Sequence, residues 1–165
     1  MSIKPGDTLP DAKFTVMTAD GPKPMQTADV FKGRKVALFA VPGAYTPTCH
    51  KSHMPGFVDR VTEIKAKGVD AVVCTAVNDI FVLTQWAKDT GADGKITMLA
   101  DGSADFARLL GLEIDLTNFG LGVRSKRYAM LVDDGVVKVV NVEEAPPHHG
   151  VSSAETMCSL IDRSF

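Results

Sequence analysis

The sequence predicts an α/β fold, with one central mixed sheet flanked by helices on both faces. Three observations carry this. Strand-like and helix-like runs alternate three times between Lys35 and Leu110. The first of those strands, Lys35 to Val41, is apolar on both alternations, as a strand covered on both faces must be. The style then changes to two β-branched runs joined by Asp134-Gly135, an antiparallel hairpin signal, and a closing helix.

The elements follow in order. Lys13 to Met17 is a short apolar-rich piece, and Ala19-Asp20-Gly21-Pro22 reads as a turn. Thr27 to Phe31, stopped by Gly33, gives one or two helical turns. Pro42-Gly43 ends the strand at Val41. From Thr48 onward Phe57, Val61 and Ile64 recur at helical spacing, with a basic last turn and a stop at Gly68; Pro55 removes one backbone bond, which predicts a kink. Val69 to Val77 is a second buried strand. Asn78-Asp79 caps a helix to about Thr90 whose faces are set by Phe81, Gln85 and Trp86. Ile96 to Ala100 is a third strand, and Ser103 to Leu110 a short helix ended by Gly111. Tyr128 to Val132 and Val136 to Val142 form the hairpin, Ala145 to Gly150 a loop, and Ser152 to Glu155 has capping-box spacing for the last helix. A parallel half joined to an antiparallel hairpin and a closing helix is the plan of a thioredoxin-like domain, its right-handed crossovers laying helices on the sheet faces.

The chain's 165 residues, with no repeat or long linker, suit a single domain over 1–165. Apolar residues make up 45% and charged ones 23%, which excludes a disordered or collagen-like chain. Eighteen basic residues against 20 acidic ones give a net charge of −2 and no broad footprint for nucleic acid or an anionic membrane. The densest apolar run, Val36 to Val41, is far short of the ~18 residues of a spanning helix. Met1 to Pro10 is too polar for a signal peptide and lacks transit-peptide character. Three cysteines, Cys49, Cys74 and Cys158, argue against a secreted disulfide scaffold and for a reducing, cytoplasmic setting.

The chemistry lies in Val41 to His50. This segment leaves a buried strand at its carboxyl end and enters a helix, where α/β folds place their sites. Cys49 falls in the helix's first turn, where free amides and the positive dipole end favour thiolate over thiol. Thr46, three residues before it, stands where a Cys-x-x-Cys motif has its first thiol. A hydroxyl cannot form a disulfide, but it accepts and donates hydrogen bonds at once, which suits a small peroxidic oxygen. Pro42 and Pro47 remove two amide donors, stiffen the loop and are expected to shield the thiol.

Pro42-Gly43-Ala44-Tyr45-Thr46-Pro47-Thr48-Cys49-His50 resembles the active-site loop of peroxiredoxins, whose pattern is Pro-x-x-x-Thr-x-x-Cys. The continuation Lys51 to Phe57, Val77-Asn78-Asp79, and Arg124-Ser125-Lys126-Arg127-Tyr128-Ala129 are similar to the type II, peroxiredoxin 5-like subfamily, and the likeness spans essentially the whole chain. The resemblance implies a thiol peroxidase that reduces hydrogen peroxide and alkyl hydroperoxides through a cysteine sulfenic acid, in antioxidant defence. It implies Cys49 as the peroxidatic cysteine, Thr46 as the hydroxyl that orients peroxide, Pro42 as the shielding proline and Arg127 as the arginine beside the thiolate. Arg124 competes for that last role; Arg127 is preferred because its pattern leads directly into a strand. No metal, haem or other cofactor is called for.

The second thiol stays open. Cys74 resembles a resolving cysteine of many type II members and reads equally as a buried core thiol. A bond from Cys49 to Cys74 would require the Cys49 helix to unwind. Cys158 falls inside the last helix, where a resolving role fits poorly. Glutathione with glutaredoxin, or thioredoxin, is the external alternative. A homodimer follows from the resemblance. His50 and His53 follow Cys49, and His148-His149 lie in a distant loop, so a Cys/His zinc site is a competing, weaker reading. His53 is expected to pack or hydrogen-bond near the loop. A thiol–disulfide oxidoreductase and a non-enzymatic sensor or holdase are the other function classes.

Overall fold

The computed structural model describes residues 2–164, so the first and last residues of the expected 1–165 domain lie outside the described residues. The main sheet holds seven strands: β1 (Lys13–Thr18), β2 (Gly21–Gln26), β3 (Lys35–Val41), β4 (Ala71–Ala76), β5 (Thr97–Ala100), β8 (Tyr128–Asp133) and β9 (Val136–Val142). Their order is β2-β1-β5-β4-β3-β8-β9. Strands β3, β4 and β5 run parallel, and the flanking pairs are antiparallel, which makes the sheet mixed as expected.

Strand β3 is central because its sequence can be buried twice over. Ala37, Phe39 and Val41 face one layer, and Val36, Leu38 and Ala40 the other. The first layer is built by α2 (Met54–Ala66), α3 (Ile80–Thr90) and α5 (Ala154–Ser164), which contribute Phe57, Ile64, Leu83, Trp86 and Ile161. Two like-handed crossovers stepping the same way along a sheet put both connecting helices on one side, so α2 and α3 share a face. The second layer comes from α1 (Thr27–Phe31) and α4 (Asp105–Leu110), through Val30, Phe31, Phe106 and Leu110.

Most predicted elements form within a residue or two of their expected bounds. Strand β4 starts later and ends earlier than Val69 to Val77, as its hydrogen-bonded register with β3 runs only from Ala71 to Ala76. Asp79 caps α3, its Oδ1 accepting from the Val82 amide at 2.8 Å. Asp134 and Gly135 take φ values of 49° and 78°, as a tight hairpin turn between twisted strands requires.

Four features differ. Gly21 begins a strand, β2, which pairs with β1 despite Pro22 and Pro24; both prolines are tolerated because β2 is the sheet edge. A second small sheet, β6 (Glu113–Leu116) with β7 (Gly122–Ser125), precedes β8 and has no apolar run to announce it. Ahead of Pro55, Cys49–His53 forms a wide π turn that is continuous with α2, with the Met54 amide bonded to the Cys49 carbonyl. A regular turn would drive the Pro55 ring into the carbonyl four residues back, and the wider turn precedes that collision. Finally, the Ser152–Glu155 capping box does not form. Ser152 is buried with its hydroxyl on Glu143, and Ser153 Oγ accepts from the Thr156 amide at 3.2 Å.

Candidate active site

The loop after β3 is fastened on three sides. The Ala44 amide donates to Asn78 Oδ1 (2.9 Å) at the end of β4. The Tyr45 hydroxyl donates to Asp89 Oδ2 (2.6 Å) on α3, and the Tyr45 ring stacks on His50, whose Nδ1 accepts from the Trp86 indole (3.0 Å). Tyr45 has a φ of 65°, a left-handed conformation that costs a side-chain-bearing residue ~1 kcal/mol and is held by these bonds. On the opposite side Arg124 donates from Nε to the Leu121 carbonyl (2.8 Å) and from Nη1 to the Pro42 carbonyl (3.2 Å). Gly43 is needed for this approach, because a Cβ there would stand 2.6 Å from Arg124 Nη1.

Thr46 Oγ1 donates its proton to the Gly43 carbonyl (2.6 Å), which leaves the oxygen's lone pairs to accept from another molecule. Pro42 is buried. Pro47 is exposed. The Thr46 carbonyl accepts from the His50 amide (2.9 Å), placing Thr46 one turn before the cysteine. Cys49 itself is fully buried.

Of the two arginines, Arg127 is the one at the sulfur. It is 2% exposed, immediately before β8, and all three guanidinium nitrogens are engaged. Nη2 donates to Cys49 Sγ at 2.9 Å, Nη1 to His53 Nδ1 at 2.8 Å, and Nε to the Pro146 carbonyl at 3.1 Å. A guanidinium only donates, so His53 Nδ1 is an acceptor and its Nε2–H donates to the Ser152 carbonyl (2.8 Å). Burial, then the adjacent Arg127 charge, lowers the His53 pKa to about 3 and keeps the ring neutral. The ring rests edge-on against Phe39 and Phe57, which stack on each other at 3.9 Å.

Glu143 completes the surroundings. It is buried at the end of β9, and its Oε1 accepts from both the amide (2.8 Å) and the hydroxyl (2.9 Å) of Ser152. Sequence reasoning missed Glu143 and the Ser152 carbonyl: nothing local marks a glutamate after a strand as a partner of Ser152, and Ser152 had the spacing of a helix cap.

The remaining cysteines are placed differently. Cys74 lies in β4 opposite Phe39, fully buried in the layer that contains Cys49. Burial, then the neighbouring Cys49, raises its thiol well above the ordinary range, with Arg127 opposing. Cys158 is buried on α5 beside α2, its thiol also raised by burial. All three cysteines are free. Among the described residues no group of three His, Cys, Asp or Glu side chains is placed to hold a metal ion, and both nitrogens of His53 are already engaged.

Comparison with known proteins gives the family. Residues 4–158 match the Redoxin family. The chain is 50% identical over 165 residues to the rice protein peroxiredoxin-2E-2, chloroplastic, covering 97% of this chain and 73% of the relative. It is 47% identical over 162 residues to peroxiredoxin-2B of Arabidopsis thaliana, covering 96% and 98%. Among solved structures, reduced Prx3 of Vibrio vulnificus in complex with hydrogen peroxide superposes with a TM-score of 0.92 at 46% identity, covering 96% and 99%. Peroxiredoxin 5 of Alvinella pompejana gives 0.85 at 35% identity, covering 98% and 99%. With a thioredoxin-like sheet and these relatives, the chain belongs to the redoxin family and, within it, to the type II peroxiredoxins, thiol-dependent peroxidases of antioxidant defence.

Proposed function

We propose that Cys49 is the peroxidatic thiol of this peroxidase and that Thr46, Arg127 and Pro42 serve it. The observation that carries this reading is the 2.9 Å hydrogen bond from Arg127 Nη2 to Cys49 Sγ. A guanidinium at that distance favours the anionic sulfur and stands where negative charge develops on the departing oxygen. The Cys49 thiolate attacks one peroxide oxygen in line with the O–O bond. An S–O bond forms as the O–O bond breaks, sulfur is oxidised to the sulfenic acid, and the second oxygen leaves as water or an alcohol after taking a proton. Thr46 accepts a hydrogen bond from the peroxide, since its own proton is committed to Gly43. Hydrogen peroxide and small alkyl hydroperoxides are the substrates. No metal or haem takes part.

Resolution is by an external thiol, glutathione with glutaredoxin or thioredoxin. Cys74 is buried within the sheet and held as the neutral thiol, a weak nucleophile, and Cys158 is packed between helices. We infer a homodimer: Tyr45, Phe81 and Phe119 keep large exposed aromatic surfaces of the kind an isologous contact covers. No helix among the described residues is long and apolar enough to cross a membrane. Relatives include chloroplastic and mitochondrial proteins, and a cytoplasmic setting is proposed here on the three free thiols.

The test is to oxidise the protein with one equivalent of peroxide, with and without glutathione, and to map the three cysteines by mass spectrometry. A glutathione adduct on Cys49 is expected, and Cys49→Ser abolishes peroxide consumption. A Cys49–Cys74 peptide would overturn external resolution, and turnover surviving in Cys49→Ser would overturn the reading altogether.

A further inference from the structure

The groups around Cys49 form a closed circuit of hydrogen bonds. It runs from Arg127 Nη1 to His53 Nδ1 (2.8 Å), from His53 Nε2 to the Ser152 carbonyl (2.8 Å), and from the Ser152 amide and hydroxyl to Glu143 Oε1 (2.8 and 2.9 Å). It returns through the Glu143 amide to the Arg127 carbonyl (2.9 Å). Four chain segments meet in it: the π turn, the approach to β8, the end of β9 and the loop before α5. Every member is at most 8% exposed, so each lost bond leaves a largely buried polar group to be satisfied.

The circuit has a direction. Arg127 has no acceptor, so one His53 nitrogen must accept, and the other then carries the ring proton. That proton needs a fixed acceptor, which is the Ser152 carbonyl. Ser152 stands outside any helix or strand, in the turn before α5, so nothing regular holds its peptide. One oxygen of Glu143 takes both donors of Ser152, while Asn141 Nδ2 donates to the Val151 carbonyl (3.1 Å) and the Ser153 amide to the Gly150 carbonyl (3.5 Å) on either side of it. Glu143 touches neither the sulfur nor the peroxide position, yet it decides where the His53 acceptor lies.

We propose that Glu143 is a positioning residue for the peroxidase reaction: through Ser152 it fixes the His53 ring, and through His53 it aims the Arg127 guanidinium at Cys49. This rests on the assignment of Cys49 and Arg127 above. Peroxide reduction depends on the guanidinium direction, because the charge develops on an oxygen and not only on sulfur. Alkylation by iodoacetamide needs the thiolate alone. The two reactions therefore separate aim from mere presence of the thiol.

The test compares Glu143→Ala, Glu143→Gln, Glu143→Asp and Ser152→Ala with the parent protein, at a pH on the plateau of the alkylation rate. Two second-order rates are read, for hydrogen peroxide and for iodoacetamide. Glu143→Ala is expected to slow the peroxide reaction about tenfold or more while alkylation changes less than about twofold. Glu143→Gln keeps an oxygen at the same reach and restores the peroxide rate to within about threefold. Glu143→Asp, one methylene short, falls with the alanine variant, and Ser152→Ala, which keeps the amide bond, falls between. An unchanged peroxide rate in Glu143→Ala, equal losses for both reagents, or failure of the glutamine to rescue each overturns the proposal. If the alanine variant does not fold, the aspartate and glutamine pair decides the same question. Activity surviving in Cys49→Ser would instead strike at the underlying assignment, a distinct result.

Discussion

His53 shows how a single residue ties the site to the stability of the fold. In an unfolded chain its imidazole takes up a proton near pH 6.5, whereas in the folded protein it does so only near pH 3. Stability from the neutral ring is therefore present above pH 6.5 and is lost as the pH falls, by up to ~1.4 kcal/mol per unit. Denaturant unfolding between pH 6.5 and 5 is expected to show this slope in the parent protein and to lose it in His53→Gln. At this scale the sequence was informative where residues are neighbours along the chain. Pro42, Thr46 and Cys49 stand within eight residues, whereas only the folded chain shows that Arg127 lies at the Cys49 sulfur and Arg124 at the Pro42 carbonyl. Glu143 was illegible because its role depends on a serine nine residues away whose local spacing suggested a helix cap.

Elements were readable in proportion to how local their causes are. The α3 cap is a case in point: Asp79 bonds an amide three residues on, and the sequence alone named it. Asp79→Ala is expected to lower stability by ~1 kcal/mol in equilibrium denaturation, with the peroxide rate unaltered. Strand β2 escaped notice because its two prolines argue against a strand unless its edge position is known, which only the assembled sheet supplies. Strands β6 and β7 are short and half-exposed, and they lack the alternation that marks a buried face. The π turn reflects a conflict between helix continuity and Pro55, and the conflict was visible though its resolution was not.

Across the whole molecule, β3 divides two packed layers that serve different ends. Leu38 belongs to the layer under α1 and α4, while Phe39 belongs to the layer with Cys49 and touches the His53 ring. Truncating either leaves a cavity worth ~2–5 kcal/mol. Leu38→Ala is expected to lower the unfolding midpoint with peroxidase activity intact in the folded protein. Phe39→Ala is expected to lower both, because the ring that backs Arg127 loses its support. Equal retention of activity in both variants would show that the layer containing Phe39 does not steady the site.

The Trp86–His50 bond has a consequence in optics. The chain has one tryptophan, fully buried, and its indole donates to the residue next to Cys49. All indole emission therefore originates within a hydrogen bond of the reactive segment, with no other tryptophan to dilute it. Each rearrangement of that segment during turnover changes the electric field on the indole, so the unlabelled protein carries its own fluorophore for stopped-flow work. Phe substituted at position 86 would darken that signal and serve as its blank.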